Sequence, residues 1–259
     1  MRQSDKGEDG SVIQLASVIS GHQAITVYEA NQLYGQTGRF RVLQFADDAV
    51  QGALDLKNPR RIVLEYPRAL IHLMEHNEPF FRRLFVIGHG IGTIAAHYPD
   101  KQVTVAEIDE QVVALSRTYF QYAPDNVLIG DGRQLLAEQA DGRFDYIVLD
   151  AFTKEGTPRH LSTLEFFRLA KDKLDGRGML LLNVMGKENG DKGVASVFAT
   201  LQQAFVHAKA FVLPGEGQSG LRNMVLAASG RPIGYERQAM AGFAEFVPED
   251  GYVIADRRR

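Results

Sequence analysis

"LFVIGHGIGTIAAHYPD", Leu84 to Asp100, decides how this chain of 259 residues is read. Four apolar residues, Leu84 to Ile87, predict a strand. Gly88, Gly90 and Gly92 then predict a tight turn, and the segment to about His97 predicts a helix. Glycines spaced in this way let backbone turn sharply and approach a ligand without side-chain clash. A G-x-G-x-G alone also fits an ordinary strand-to-helix turn, so its meaning depends on what flanks it.

Downstream the same rhythm repeats. "QVTVAEI" predicts a second strand, and "DEQVVALSRTYFQ" a helix with Asp109 as its cap. "NVLI" and "FDYIVLD" predict strands three and four, with a short helix, "RQLLAEQ", between them. "STLEFFRLAKDKL" predicts a helix capped by Ser162 or Thr163 with Glu165 in its first turn, and "GMLLLNV" a fifth strand. Alternation of this kind implies an open, mostly parallel α/β sheet in three layers. A helix from about Val194 to Ala204 follows, then two runs, "KAFVLP" and "NMVLAAS", too close for a long crossover and expected to pair antiparallel at an edge. "ERQAMAGFAEF" is expected to be a helix. Upstream, Tyr66 to Asn77 has helical spacing with Pro67 in the first turn. Residues 11–60 carry short alternating runs, "AITVYEA", "RFRVLQF" and "VQGALDL", which predict a small antiparallel β-domain. Residues 1–10 are expected to be disordered, 61–250 to form the α/β domain, and 251–259 a polar tail ending in Arg257 to Arg259.

The bulk numbers exclude several classes. The net charge is −3 with no basic stripe, which gives no support to nucleic-acid binding. There is no cysteine, so thiol nucleophiles, disulfides and thiolate metal sites are absent. The start is polar and no run of about 18 apolar residues occurs, so no membrane span is expected and a cytoplasmic protein is the default. Hydrophobic residues make up 45%, enough for a sizeable core. The seven histidines show no metal-ligand spacing with acids, and no metal is expected.

Open parallel sheets bind ligands beyond the carboxyl ends of their strands. At those ends stand the three glycines, then Glu107 and Asp109, then Gly130, Asp131 and Gly132, then Asp150. Glu107 lies at the end of the strand after the glycine turn, where an acid accepts both hydroxyl protons of a ribose. NAD is one ligand of this kind. Asp131 offers an acceptor for the exocyclic amine of adenine, which suits relatives of S-adenosylmethionine better, and it also suits capping of "RQLLAEQ". Asp150 ends a strongly apolar strand. Desolvation there raises a carboxyl pKa and makes a better base. The loop "AFTKEGTPRH" after it is placed to fold over a site.

Over residues 38 to 230 these features resemble the spermidine synthase family, the polyamine aminopropyltransferases. "RVLQFADDAVQGALDL" resembles the family's strand segment ending in a glutamine, here Gln51, and "EYPRALIHL" its tyrosine-led helix, with Tyr66 in the tyrosine position. "VIGHGIGT" stands at the glycine-rich loop; "VAEIDEQVVALSRTYF", "GDGRQLL" and "YIVLDAF" complete the set. The resemblance implies a Rossmann-like seven-stranded methyltransferase fold behind a small N-terminal β-domain. It implies decarboxylated S-adenosylmethionine as co-substrate, methylthioadenosine as product, a small-molecule amine as acceptor, and a homodimer. It assigns the ribose to Glu107, the adenine amine to Asp131, nucleoside contact to Gln51, and the catalytic base to Asp150. Three departures stand in the acceptor region. Ile91 replaces the acid of the glycine loop, Thr153 the acid three residues after the base, and Arg68 the glutamate after the tyrosine. Each removes negative charge where a diamine or its donor would lie. Aminopropyl transfer therefore stands beside two alternatives: methyl or other alkyl transfer from S-adenosylmethionine to another nucleophile, and a non-catalytic nucleoside-binding role.

Overall fold

The computed structural model describes residues 12–45, 50–153, 156–187, 190–214 and 220–257. The expected disordered segment 1–10, Lys154 and Glu155 of the loop after Asp150, and Arg258 and Arg259 of the terminal arginine run lie outside the described residues.

In chain order the strands and helices are β1 (Ile13–Ile19), β2 (Ala24–Leu33), β3 (Gln36–Phe45), β4 (Val50–Asp55), α1 (Glu65–Asn77), β5 (Arg83–Ile87), α2 (Thr93–His97), β6 (Gln102–Glu107), α3 (Glu110–Tyr119), β7 (Val127–Ile129), α4 (Gly132–Ala137), β8 (Phe144–Leu149), α5 (Leu164–Lys173), β9 (Leu174–Gly186), α6 (Lys192–Ala204), β10 (His207–Val212), β11 (Arg222–Ser229) and β12 (Ala244–Phe246). They fall into two compact units.

The first unit takes in residues up to Leu64 together with Gly90–Thr93 and Asp109–Ala123. Its sheet is an antiparallel meander, β1-β2-β3-β4. Tyr34 and Gly35 join β2 to β3 with φ of 48° and 72°; positive φ at both positions matches the right-handed twist of the flanking strands. Alternation along β2 sends Ile25 and Val27 to one face, where they meet Leu43 and Leu54. Val112 and Leu115 of α3 and Ile91 of the glycine loop close this apolar cluster. Arg41 adds a hydrogen bond from Nη1 to the carbonyl of Tyr119, 2.7 Å, at the end of α3. Residues 90–93 and 109–123, expected within the α/β domain, thus pack with the β-sheet instead. The reason is their apolar side chains: Ile91, Val112, Leu115 and Phe120 match a sheet face that four strands alone would leave uncovered.

The second unit carries the α/β fold. Its eight strands run β12-β10-β11-β9-β8-β5-β6-β7. β7, β6, β5, β8 and β9 are parallel neighbours. β11 is antiparallel to both β9 and β10, the edge pairing that the short connection required. The seven strands of the expected fold are all present, with β12 added beyond β10. Helix caps follow the sequence: Asp109 accepts from Gln111 N–H, Asp131 from Gln134 N–H, Thr163 from Phe166 N–H and Asp191 from Gly193 and Val194 N–H. Phe166, Phe167 and Leu201 of α5 and α6 are fully buried against Ile147, Leu149, Leu180 and Leu182 of the central strands. Each such side chain contributes about 1.5–3 kcal/mol by leaving water.

Two expectations at the C-terminal end change. The stretch expected as a helix, "ERQAMAGFAEF", forms a 3-10 turn at Arg237–Ala239 and then β12. Ala241 and Gly242 have φ of 52° and 94°, which no α-helix accommodates, and Met240 and Phe243 are buried on either side of that turn. The expected polar tail is anchored. Ile254 is buried, its carbonyl accepts from Leu164 N–H at 2.8 Å, and its N–H donates to Thr200 Oγ1 at 2.9 Å. Asp256 accepts from both terminal nitrogens of Arg133 at 2.9 and 2.6 Å, and the guanidinium pulls its pKa down to about 2.

Candidate active site

The carboxyl rim of the parallel strands in the second unit gathers Glu107, Asp131 and Asp150, one acid from each of three strand ends. Each is held differently.

Asp150 follows β8 directly. Its N–H donates to the Ile87 carbonyl at 2.8 Å, which locks the end of β8 to the end of β5. Leu149 pairs with Leu182 in β9, so Asp150 comes beside Asn183. Asn183 is 1% exposed and donates from Nδ2 to Asp150 Oδ1 at 2.8 Å. The Tyr66 side chain, from the first turn of α1, supplies a second hydrogen bond to the carboxylate. Burial outweighs both donors and pushes the Asp150 pKa up to about 6. A carboxylate of that basicity is ionised at neutral pH and is a far better proton acceptor than an exposed aspartate. Asn183 and Tyr66 hold it in one orientation.

Glu107 closes β6 and is buried, 8% exposed. Its Oε2 accepts from the backbone N–H of His89 at 2.8 Å. That bond fixes the carboxylate against the glycine turn. Asp131 caps α4 through Oδ1, accepting from Gln134 N–H at 2.9 Å. Its Oδ2 accepts from His160 Nε2 at 2.7 Å. Both oxygens already carry a donor, so an adenine amine would share Oδ2 with His160 or replace it.

The glycines have packing reasons of their own. A Cβ on Gly132 would lie 2.4 Å from Ile87 Cγ2, so its absence lets α4 start tight against β5. Gly88, Gly90 and Gly92 all have positive φ, 98°, 54° and 80°. In the first unit, a Cβ on Gly90 would stand 3.0 Å from the Gln51 carbonyl oxygen.

The predicted acceptor residues belong to both units. Ile91 is 8% exposed and sits in the apolar cluster of the first unit. Thr153 is turned into its own loop: Oγ1 donates to the Gly156 carbonyl at 3.0 Å, and the two residues form an isolated bridge. Arg68, exposed on α1, donates to Glu65 Oε1 at 3.3 Å. Asp109 serves the N-terminus of α3 in the first unit. Tyr66, Gly88, Glu107, Asp131, Gly132, Asp150 and Thr153 belong to the second unit; Gln51, Gly90, Ile91, Gly92 and Asp109 belong to the first. Among the described residues, no group of three or more histidine, aspartate or glutamate side chains is arranged to hold a metal ion, and no helix is long and apolar enough to cross a membrane.

Sequence reasoning missed Asn183 and His160. Asn183 had a signal: it is the one polar residue in the run "MLLLNVM". His160 had none, because a histidine in a loop gives no pointer to an acid 29 residues earlier.

Comparison with known proteins follows the same lines. The chain is 31% identical to the polyamine aminopropyltransferase of Vibrio vulnificus over 65% of its own length and 62% of that protein's, so it spans under two thirds of that relative. It is 26% identical to the polyamine aminopropyltransferase of Neisseria meningitidis over 75% of each chain. A probable spermidine synthase from Corynebacterium glutamicum superposes with a TM-score of 0.71 at 20% identity, over 83% of this chain and 80% of that one. The family model for the spermine/spermidine synthase domain matches residues 64–214, more than half of the chain, from the start of α1 through β10. The chain belongs to the spermine/spermidine synthase family.

Proposed function

We propose that the protein transfers an aminopropyl group from decarboxylated S-adenosylmethionine to a small amine acceptor, with Asp150 as the base. The observation that carries this reading is the Asp150 carboxylate, raised to about 6 by burial and held by Asn183 and Tyr66. The acceptor nitrogen attacks the propyl carbon next to the sulfonium. The new C–N bond forms as the C–S bond breaks, methylthioadenosine leaves as a neutral thioether, and the surplus proton on nitrogen passes to Asp150. The leaving group is good, so alignment of nitrogen, carbon and sulfur provides much of the rate, and proton transfer the remainder. Glu107 and Asp131, at the strand ends of the second unit, are the nucleoside acceptors in this reading.

The acceptor differs from a plain diamine. A hydrogen bond to a charged partner is worth roughly 1.5–3 kcal/mol. Ile91 and Thr153 offer no charge where the resembled family has acids, and Thr153 spends its hydroxyl within its own turn. An acceptor carrying one amine and no second cation fits this composition. Ile91 also favours a second reading, methyl transfer from intact S-adenosylmethionine, because no acid at that position repels the donor's carboxylate. Calorimetric titration with the two donors and methylthioadenosine separates the readings. Preference for the decarboxylated donor, with methylthioadenosine released on adding an amine, supports the first. Preference for the intact donor supports the second, and failure to bind all three removes both.

A further inference from the structure

Asn183 has a second partner besides Asp150. Its Oδ1 accepts from Nδ2 of Asn223 at 3.0 Å. Asn223 lies on β11, the antiparallel strand beyond β9. Val225 is the residue paired with Asn183, so Asn223, two positions away, presents its side chain on the same sheet face as a diagonal neighbour. Three side chains from β11, β9 and the end of β8 thus form a one-way chain of donors: Asn223 to Asn183 to Asp150.

The direction is dictated by chemistry. An ionised carboxylate only accepts, so Asn183 must turn its amino group to Asp150. Its carbonyl oxygen then faces away and, being buried, needs a donor. Asn223 provides that donor. Without it, nothing holds the amide in that sense, and a half-turn aims its oxygen at Asp150, where it repels the anion and favours the protonated acid. We propose that Asn223 is a positioning residue for Asp150, acting through Asn183 by fixing which end of that amide faces the carboxylate. As a statement about catalysis it rests on the reading of Asp150 as the base; as a statement about protonation it stands alone.

Among the described residues two side chains act on the Asp150 charge, Asn183 from β9 and Tyr66 from α1, and neither carries a charge. The other rim acids are engaged elsewhere, Glu107 with His89 N–H and Asp131 with His160 and α4. A change in Asp150 titration on altering Asn223 therefore has one short route, the Asn183 amide.

The test is the titration of Asp150, followed by carbon NMR on full-length protein labelled at aspartate carboxyls, with the Asp150 signal assigned by its loss in Asp150→Asn. Asn223→Leu removes the donor at similar volume, and Asn223→Asp replaces it with an acceptor. Both should raise the Asp150 midpoint, the leucine variant by roughly half to one pH unit, the share one hydrogen bond controls. Asn183→Leu should raise it at least as far, and Asn223→Gln should restore part of the wild-type value. Unfolding temperature is recorded alongside, since a purely structural role would lower it and leave the midpoint in place. An Asp150 midpoint unchanged in Asn223→Leu, the variant that removes the donor without adding a charge, overturns the proposal. A wild-type rate profile that ignores the Asp150 midpoint sinks the base assignment instead, with the NMR result still deciding the relay.

Discussion

A β-carbon on Gly88 would lie 2.0 Å from the carbonyl oxygen of Asp150. The first glycine of the turn is therefore needed for a reason internal to the protein. It lets the end of β5 pass against the end of β8, where Asp150 N–H reaches the Ile87 carbonyl. Its φ of 98° adds a second requirement that L side chains rarely meet. Gly88→Ala should thus displace the chain segment that bears Asp150. A loss of about 3–5 kcal/mol in urea unfolding is expected, at the severe end for a single methyl. A loss under about 1 kcal/mol would mean that the turn relaxes and the contact does not matter.

The glycine-spaced turn thus packs against the protein itself. The strand–helix alternation, the caps Asp109, Asp131 and Thr163, and the antiparallel pairing of β10 with β11 were legible because each rests on local chemistry: periodicity, a side-chain oxygen, a short connection. The glycines were legible as turn residues, but the partner they approach was not. For Gly88 and Gly132 it is protein, Asp150 and Ile87. Ile91 could be read from the sequence only as a missing acid; its burial among β2, β3, β4 and α3 depends on contacts from four distant segments. Asn183, Asn223 and His160 depend on sheet register and loop path, which no local pattern encodes. The strand at Ala244–Phe246 was hidden because "AMAGFAEF" has an apolar spacing that fits a helix until Ala241 and Gly242 adopt positive φ.

Ile91 packs where a restored acid would be buried. Ile91→Asp should therefore destabilise the first unit by about 3 kcal/mol or more, through lost packing and an unpaired charge. Urea unfolding checks the loss, and calorimetry on the folded fraction checks amine affinity. A variant as stable as the wild type would show that this position opens to solvent or ligand.

Gly52 gives a milder test of the same cluster. A Cβ there would meet Ile91 Cγ1 at 2.6 Å. Gly52→Ala should cost about 1–3 kcal/mol by overpacking, and pairing it with Ile91→Ala, which removes both γ-carbons that the new Cβ would meet, should cost less than the sum of the two single changes. Strict additivity of the two changes would contradict direct contact.

In the proposed reading a nucleoside amine would compete with His160 for Asp131 Oδ2. His160→Ala should tighten methylthioadenosine binding by about two- to tenfold, at most one hydrogen bond's worth. Asp131→Asn should weaken it, since the oxygen that accepts is lost. Calorimetry reads both. If His160→Ala weakens binding instead, the histidine orients Asp131 for the ligand and does not compete with it.

Asp150 also has a stability signature. Its folded pKa, about 6, exceeds the ordinary 3.8. Between those values the folded state holds a proton that the unfolded chain has released, so this group's contribution falls as pH rises from about 4 to 6 and is flat above. The full penalty at neutral pH is at most about 3 kcal/mol. Asp150→Asn escapes it and should be more stable than the wild type at pH 7, with the advantage shrinking toward pH 4. Urea midpoints of the two proteins at both pH values decide it; a difference independent of pH would mean that the Asp150 pKa is not raised by folding.

The proposed activity requires Asp150 to accept the proton in alkyl transfer from a sulfonium nucleoside. The most direct measurement is methylthioadenosine release from decarboxylated S-adenosylmethionine and an amine, followed by mass spectrometry across pH for the wild type and Asp150→Asn. The wild-type kcat/KM should rise with pH through an apparent pKa of about 6, the value burial gives Asp150. Asp150→Asn should be slower by roughly a hundred- to ten-thousandfold with that inflection gone. Asp150→Asn turning over at the wild-type rate with the same inflection would contradict the account.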